Sequence, residues 1–429
     1  MRNLLLAFTA LAAATAAPAQ TVPPETVVVT ADRMVDVLAG RMVDQPVIVI
    51  TDGRIASVAS RGSAPPAIPA GATRIDLPGK TLLPGLIDMH VHLGGTEKVR
   101  GYRALEFTDT FFLVTGVPNA ERLLDAGFTT VRSMGASDYL DVALRQGIEL
   151  GVLRGPRIIA ATFPIGATGG HCDSNTNRPS MAQTAKGVAD GPDEVRKKVR
   201  ELRKLGAQVI KVCATGGVFS RNTDPGAQQM TYEELKMAAD EAHMLGMKVA
   251  AHAHGTDGIK AAIRAGIDTI EHASFLDDEA IRMARDKGTW LSMDIYNTDY
   301  TLTEGAKLGI LEENLAKERQ VGAIQRESFR RSVAGGARHV FGSDVGVYPA
   351  GLGGRQFPVM VRFGMTPMQA IQAATRNAAL ALGREKDVGA IQAGRYGDLI
   401  AVDGDPIADI RALEDVDVVI KGGKLVKRD

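Results

Sequence analysis

The feature that most constrains this chain is a unit repeated through its middle. A helical stretch ends at glycine, a short β-branched run follows, and that run ends on a polar residue. The instances are Ala126-Gly127 before residues 129–133, Leu205-Gly206 before 209–211, Leu245-Gly246 before 249–252, Ala265-Gly266 before 269–272, and Gly335-Gly336 before 339–344. Glycine accepts the left-handed conformation that closes a helix at C′. Strands alternating with helices at this spacing predict βαβ units and a parallel sheet. An open, doubly wound sheet would carry a glycine-rich phosphate loop after its first strand, and none follows the strand expected over residues 86–92. Polar residues at several strand ends suit a TIM barrel, whose C-terminal strand ends converge on one face. The expected fold class is α/β, a (β/α)8 barrel.

The two ends of the chain read differently. Residues 26–30, 46–51 and 55–59 are β-like, with a hairpin turn at Asp52-Gly53. Residues 398–402 and 416–421 match them, and Gly422-Gly423 turns the last run into 424–427. These blocks are expected to form one small β domain, residues 25–82 with 385–429, beside a barrel over 83–384. A chain of 429 residues has room for a barrel of about 250–300 residues and such a module. Ahead of both, Arg2, an apolar run over 4–17 and Ala17-Pro18-Ala19 have the form of an export signal cut after Ala19. Residues 1–19 are therefore expected to be a signal peptide and the mature protein periplasmic or secreted. No other run reaches the ~18 apolar residues of a membrane span, so no membrane contact is expected of the mature form. Fifty basic residues balance fifty acidic ones without a basic cluster, which argues against nucleic acid as a partner. Cys172 and Cys213 are too few for a disulfide framework and are expected to be free packing thiols.

The residues able to carry chemistry sit at the strand ends. His90 and His92 flank Val91, and residues i and i+2 of a strand share a face, so both imidazoles can reach one cation. Lys211 lies inside the apolar run Val209-Ile210-Lys211-Val212. A buried unpaired ammonium is costly. A side chain snorkelling to the strand end, a salt bridge, or carboxylation to an anionic carbamate that can bridge two cations would each relieve it. His252 closes the next strand, with His254 two residues on. His272 closes the one after, and Asp344 the last. Imidazole and carboxylate donors suit zinc and related divalent ions.

The segment Leu83-Pro84-Gly85-Leu86-Ile87-Asp88-Met89-His90-Val91-His92-Leu93 resembles the first-strand motif of the metal-dependent amidohydrolase superfamily. The order His-x-His, Lys, His, His, Asp is similar to that of its binuclear members. The likeness spans about residues 25–429 and includes the split β domain. It is closer to the imidazolonepropionase-like branch, with its Xaa-Pro dipeptidases, related carboxypeptidases and ochratoxin amidases. Residues 212–218 with Gly216-Gly217, the run Ala251-His252-Ala253-His254-Gly255, and Gly169-Gly170-His171 carry that likeness. Imidazolonepropionase itself is less similar, being mononuclear and without the lysine. His254 stands where many dipeptidases of the branch have tyrosine.

The resemblance implies two divalent metal ions, zinc being the expected species. His90, His92 and Asp344 would hold the first, His252 and His272 the second, and Lys211 as N6-carboxylysine would bridge. It implies that Asp344 shuttles a proton from the attacking water to the leaving amine, and that His254 hydrogen-bonds the oxyanion. His171, in the long segment 162–190, is expected to bind substrate, including a substrate carboxylate. The implied substrate is a dipeptide, Xaa-Pro or similar, or an N-acyl amino acid. An ochratoxin-type aromatic amide and a non-catalytic secreted metal-binding protein are the alternatives. A homo-oligomer is expected by analogy.

Overall fold

The computed structural model describes residues 25–429 other than Thr176 and Ala182. The expected signal peptide lies outside the described residues. Five strands come first: β1 (Thr26–Asp36), β2 (Arg41–Asp44), β3 (Val47–Thr51), β4 (Arg54–Ala59) and β5 (Thr73–Pro84). Eight short parallel strands follow, separated by helices: β6 (Leu86–Val91), β7 (Phe128–Ser133), β8 (Arg157–Ala160), β9 (Val209–Cys213), β10 (Lys248–Ala253), β11 (Thr269–His272), β12 (Trp290–Ser292) and β13 (Arg338–Val340). β14 (Leu399–Asp403), β15 (Val418–Lys421) and β16 (Lys424–Arg428) end the chain.

The terminal segments meet in one sheet, ordered β16-β15-β14-β5-β1-β3-β4, with β2 paired to β1. Its junction is β14 against β5, antiparallel from Leu399–Pro84 to Asp403–Lys80. Val29, Ile48, Ile50, Leu82, Leu399 and Ile420 fill its core. Asp52 and Gly53 take positive φ, 49° and 77°, as the expected hairpin between β3 and β4 requires. β5 has no counterpart in the sequence reading, because its interrupting Pro78, Gly79 and Lys80 hide the strand period.

The eight middle strands pair in sequence order in two arcs, β6-β7-β8 and β9 to β13. Backbone bonds close both gaps. Between β8 and β9, Gln208 N donates to Ala160 O at 2.8 Å and Ile165 N to Lys211 O at 2.8 Å. Between β13 and β6, Asp344 N donates to His90 O at 2.8 Å and His92 N to Val345 O at 2.7 Å. The result is a (β/α)8 barrel with the small β domain attached. All five glycines expected as helix ends have positive φ, from 73° at Gly246 and Gly336 to 108° at Gly206. Gly85, the hinge from β5 into β6, lies so close to β7 that a Cβ there would overlap Thr129. Two barrel strands escape the sequence pattern. β8 ends on alanine rather than a polar residue, and β12 has three residues, none of them β-branched.

Candidate metal centre and active site

His90, His92, Lys211, His252, His254, His272, Asp344 and His171 all line one cavity of about 740 Å³ at the C-terminal end of the barrel. Three donor atoms stand out. His90 Nε2 and His92 Nε2 are 3.3 Å apart, and each lies 3.3–3.4 Å from Asp344 Oδ1. A tetrahedral ion bonded at 2.0–2.2 Å separates its donors by about 3.3–3.6 Å, so this trio has the spacing of a coordination site. A second trio, His252, His254 and His272, has ring nitrogens all within 4.8 Å, and His272, Asp294 and Asp344 form a third.

Hydrogen bonds decide which nitrogen each ring can offer. His90 Nδ1 faces Glu271 Oε2 at 3.0 Å, and His92 Nδ1 faces Gly135 O at 3.1 Å. Both partners only accept, so each Nδ1 carries the proton and each Nε2 lone pair is free. His272 Nδ1 likewise faces Asp294 Oδ1 at 2.9 Å. His252 is reversed: its Nε2 donates to Gly216 O at 3.0 Å, which leaves Nδ1 as the free donor. Burial, with the charge on Lys211 adding to it, lowers His90 to about 4. Burial likewise pushes His252 far below its ordinary value, reinforced by His171 and His272. His90 and His252 are therefore neutral at pH 7, the form that binds a cation.

Glu271 and Asp294 were missed by sequence reasoning. Glu271 is fully buried and accepts from Arg132 Nη2 at 2.7 Å and from Thr269 Oγ1 at 2.7 Å. Arg132 Nε donates to Met89 O at 2.6 Å, next to His90. Burial pushes Glu271 up, but Arg132 and His90 hold it well below the usual carboxylate range. A carboxylate that fixes the tautomer of a ligating histidine is a regular partner of metal sites. Asp294 also accepts from Gln325 Nε2 at 2.9 Å and Asn297 Nδ2 at 3.0 Å. Its signal was partial: Gly288 precedes Trp290-Leu291-Ser292 and the polar Asp294 follows, but the run lacks the β-branched residues that mark the other strands. Glu271 had no such signal, being one of many acidic residues until the fold buries it.

Lys211 is 3 % exposed within β9, and burial lowers it to about 8 despite the carboxylates of Glu271 and Asp344. Burial pushes Asp344 up, yet His90 and His92 hold it below its ordinary value, so it is ionised. Asp344 (φ 57°) and His272 (φ 66°) are left-handed at their strand ends, a costly conformation that clusters at functional sites.

The segment after β8 carries His171 over this centre. Its ring stacks on His252 with centroids 4.0 Å apart, Nδ1 meets Ser220 Oγ at 2.8 Å, and a Cβ at Gly217 would overlap it. Cys172 and Cys213, expected to be free, form a disulfide. The correction has a tertiary cause. Ile165 pairs with β9 on both sides, which brings the segment's Cys172 to a Cα separation of 6.0 Å from Cys213, within disulfide reach.

The donors fit divalent metal, and comparison with known proteins agrees. Residues 81–426 match the amidohydrolase family. Ochratoxinase of Aspergillus niger is 31% identical over 406 residues, covering 89% of this chain and 82% of that protein. A Xaa-Pro dipeptidase crystal structure with methionine in its active site superposes with a TM-score of 0.88 at 36% identity, covering 94% of this chain and 100% of the other. A prolidase complexed with N-methylphosphonate-L-proline gives 0.85 at 30%, with the same coverages. The non-catalytic alternative is set aside: this chain belongs to the amidohydrolase family and is a metal-binding hydrolase of C–N bonds.

Proposed function

We propose that the chain cleaves the amide bond of a dipeptide, Xaa-Pro or similar, or of an N-acyl amino acid, at a centre of two zinc ions. The observation that carries this reading is the His90–His92–Asp344 trio at 3.3–3.4 Å, set in one cavity with Lys211, His252 and His272. His90, His92 and Asp344 would hold one ion, His252 and His272 the other, and carboxylated Lys211 both. Bound there, such ions would supply Lewis acidity toward the scissile carbonyl and would lower the pKa of water from 15.7 to about 7.

The chain's own groups do the rest. With Lys211 lowered to about 8, its neutral amine, the form that adds CO2, is accessible near neutral pH. Ionised Asp344 takes the proton of the attacking water and passes it to the leaving amine. Burial, aided by His272 and His171, keeps His254 neutral. Ser274 Oγ, 2.7 Å from Nδ1, can donate to it; that arrangement puts the proton of His254 on Nε2, where it would meet the oxyanion. His171 contacts the substrate from the mouth of the site. The aromatic walls Phe112, Phe163 and Phe219, with the likeness to ochratoxinase, support an aromatic amide as the second reading.

The test is release of amino acid from Xaa-Pro, Xaa-Lys, Xaa-Arg and N-acyl-phenylalanine substrates by zinc-loaded and metal-stripped protein. Zinc-dependent turnover of at least one is expected. No turnover of any, with two ions bound, would defeat the reading. We further place its action outside the cytoplasm, as a homo-oligomer. A mature mass beginning at Gln20 and a multimeric sedimentation coefficient are the expected results, and a retained Met1 or a monomer would refute them.

A further inference from the structure

Arg100 stands apart from the other charges around the cavity. It follows β6, and its guanidinium is largely withdrawn from water. Nη2 donates to Gly346 O at 2.5 Å and to Val347 O at 2.8 Å, while Nε has no partner among the described residues. Tyr300, Glu97 and Asp344 act on it only through space, and burial lowers its pKa. The cavity's other guanidinium has a counter-ion: Arg221 lies 3.1 Å from Glu313 and donates to Tyr102 Oη at 2.8 Å, although its Nε also makes no hydrogen bond among the described residues. The ring of His171 is already engaged, with Nδ1 2.8 Å from Ser220 Oγ and its face stacked on His252.

A buried guanidinium without a counter-ion is costly, and its planar fork matches a carboxylate in a bidentate pair. The two carbonyls that anchor it lie two and three residues beyond Asp344, so its distance from the reacting centre is set by the turn that carries Asp344. We infer that Arg100 is a specificity-determining residue which binds a free carboxylate on the substrate, restricting the enzyme to amides of amino acids with an unblocked carboxyl group. The inference rests on the amidohydrolase reading above and assigns to Arg100 the carboxylate recognition expected of His171 from its place in the long segment 162–190.

The test compares N-acetyl-L-phenylalanine with N-acetyl-L-phenylalaninol, in which a neutral CH2OH replaces the carboxylate. Wild type, Arg100→Gln and Arg100→Lys are each assayed for amine release, and their binding of both compounds is measured calorimetrically. The wild-type enzyme is expected to prefer the acid. In Arg100→Gln the acid-to-alcohol ratio of kcat/KM, and the ratio of binding constants, should fall about 10–100-fold, as for the loss of a charged hydrogen-bond partner. Arg100→Lys should recover part of the ratio, and zinc content should stay at the wild-type level in both variants. If both compounds weaken equally, or the acid is not preferred by the wild type, Arg100 merely latches its loop and the inference falls. Absence of amine release with the binding preference intact would count against N-acyl-phenylalanine as the substrate, a matter for the wider substrate panel above, and leave the carboxylate site standing.

Discussion

His252 and His254 are two residues apart and both buried, yet their surroundings assign them different work. His252 spends Nε2 on a backbone carbonyl, which leaves Nδ1 free and suits the ligand role proposed for it, whereas His254 meets a serine hydroxyl that can donate to it. His252→Asn should therefore lose metal. His254→Asn should keep it and turn over about 10²–10³ more slowly, the usual cost of one oxyanion donor. Metal content beside kcat and KM decides the matter, and the opposite pattern would exchange the roles. Glu271 is a second residue whose effect can be foreseen. It neutralises Arg132 and orients His90 at once. Glu271→Gln leaves a buried guanidinium without its counter-charge, a loss of about 3–5 kcal/mol, and should weaken metal binding about 10–100-fold. Denaturant unfolding and zinc titration read the two effects separately; unchanged zinc affinity would show that His90 needs no such partner.

At the level of elements, the segment after β8 is held to the barrel twice. Ile165 continues the backbone ladder of β9, and the Cys172–Cys213 disulfide ties the residue next to His171 to the strand that carries Lys211. The bond closes a chain separation of 41 residues, for which the stabilisation is about 2–4 kcal/mol. Cys172→Ser with Cys213→Ser should lower unfolding stability by that amount and expose residues 166–190 to protease. Metal content should be unaffected, since neither cysteine is among the donor groups. A double variant as stable and as resistant as the parent would mean that the backbone ladder alone holds the segment.

For the molecule as a whole, the small β domain depends on both ends of the chain. Removing residues 385–429 would strip β14 from β5 and take Leu399, Val418 and Ile420 out of the core. Full burial of those three side chains is worth about 5–9 kcal/mol, comparable with the entire stability of a typical domain. The truncated chain is expected to be insoluble or to elute as aggregate in size-exclusion chromatography. A soluble, zinc-binding product would show that the barrel stands without the sheet.

The barrel was legible in sequence because its unit is local. A glycine C-cap, a β-branched run and a polar strand end are spelled by consecutive residues, and six of the eight barrel strands carry enough of that spelling to be read. His90, His92, Lys211, His252, His254, His272 and Asp344 were legible for the same reason, being placed in the barrel strands or just past them by period and order. What stayed hidden depends on residues far apart in the chain. Glu271 becomes a partner of His90 only when β11 and β6 face each other across the barrel. Cys172 reaches Cys213 only when the ladder at Ile165 forms, and Arg100 is withdrawn from water without an ion-pair partner among the described residues only once its loop folds onto the turn after Asp344. Local backbone preference is written in neighbouring residues, whereas burial, charge pairing and the protonation they impose exist only after distant segments have packed.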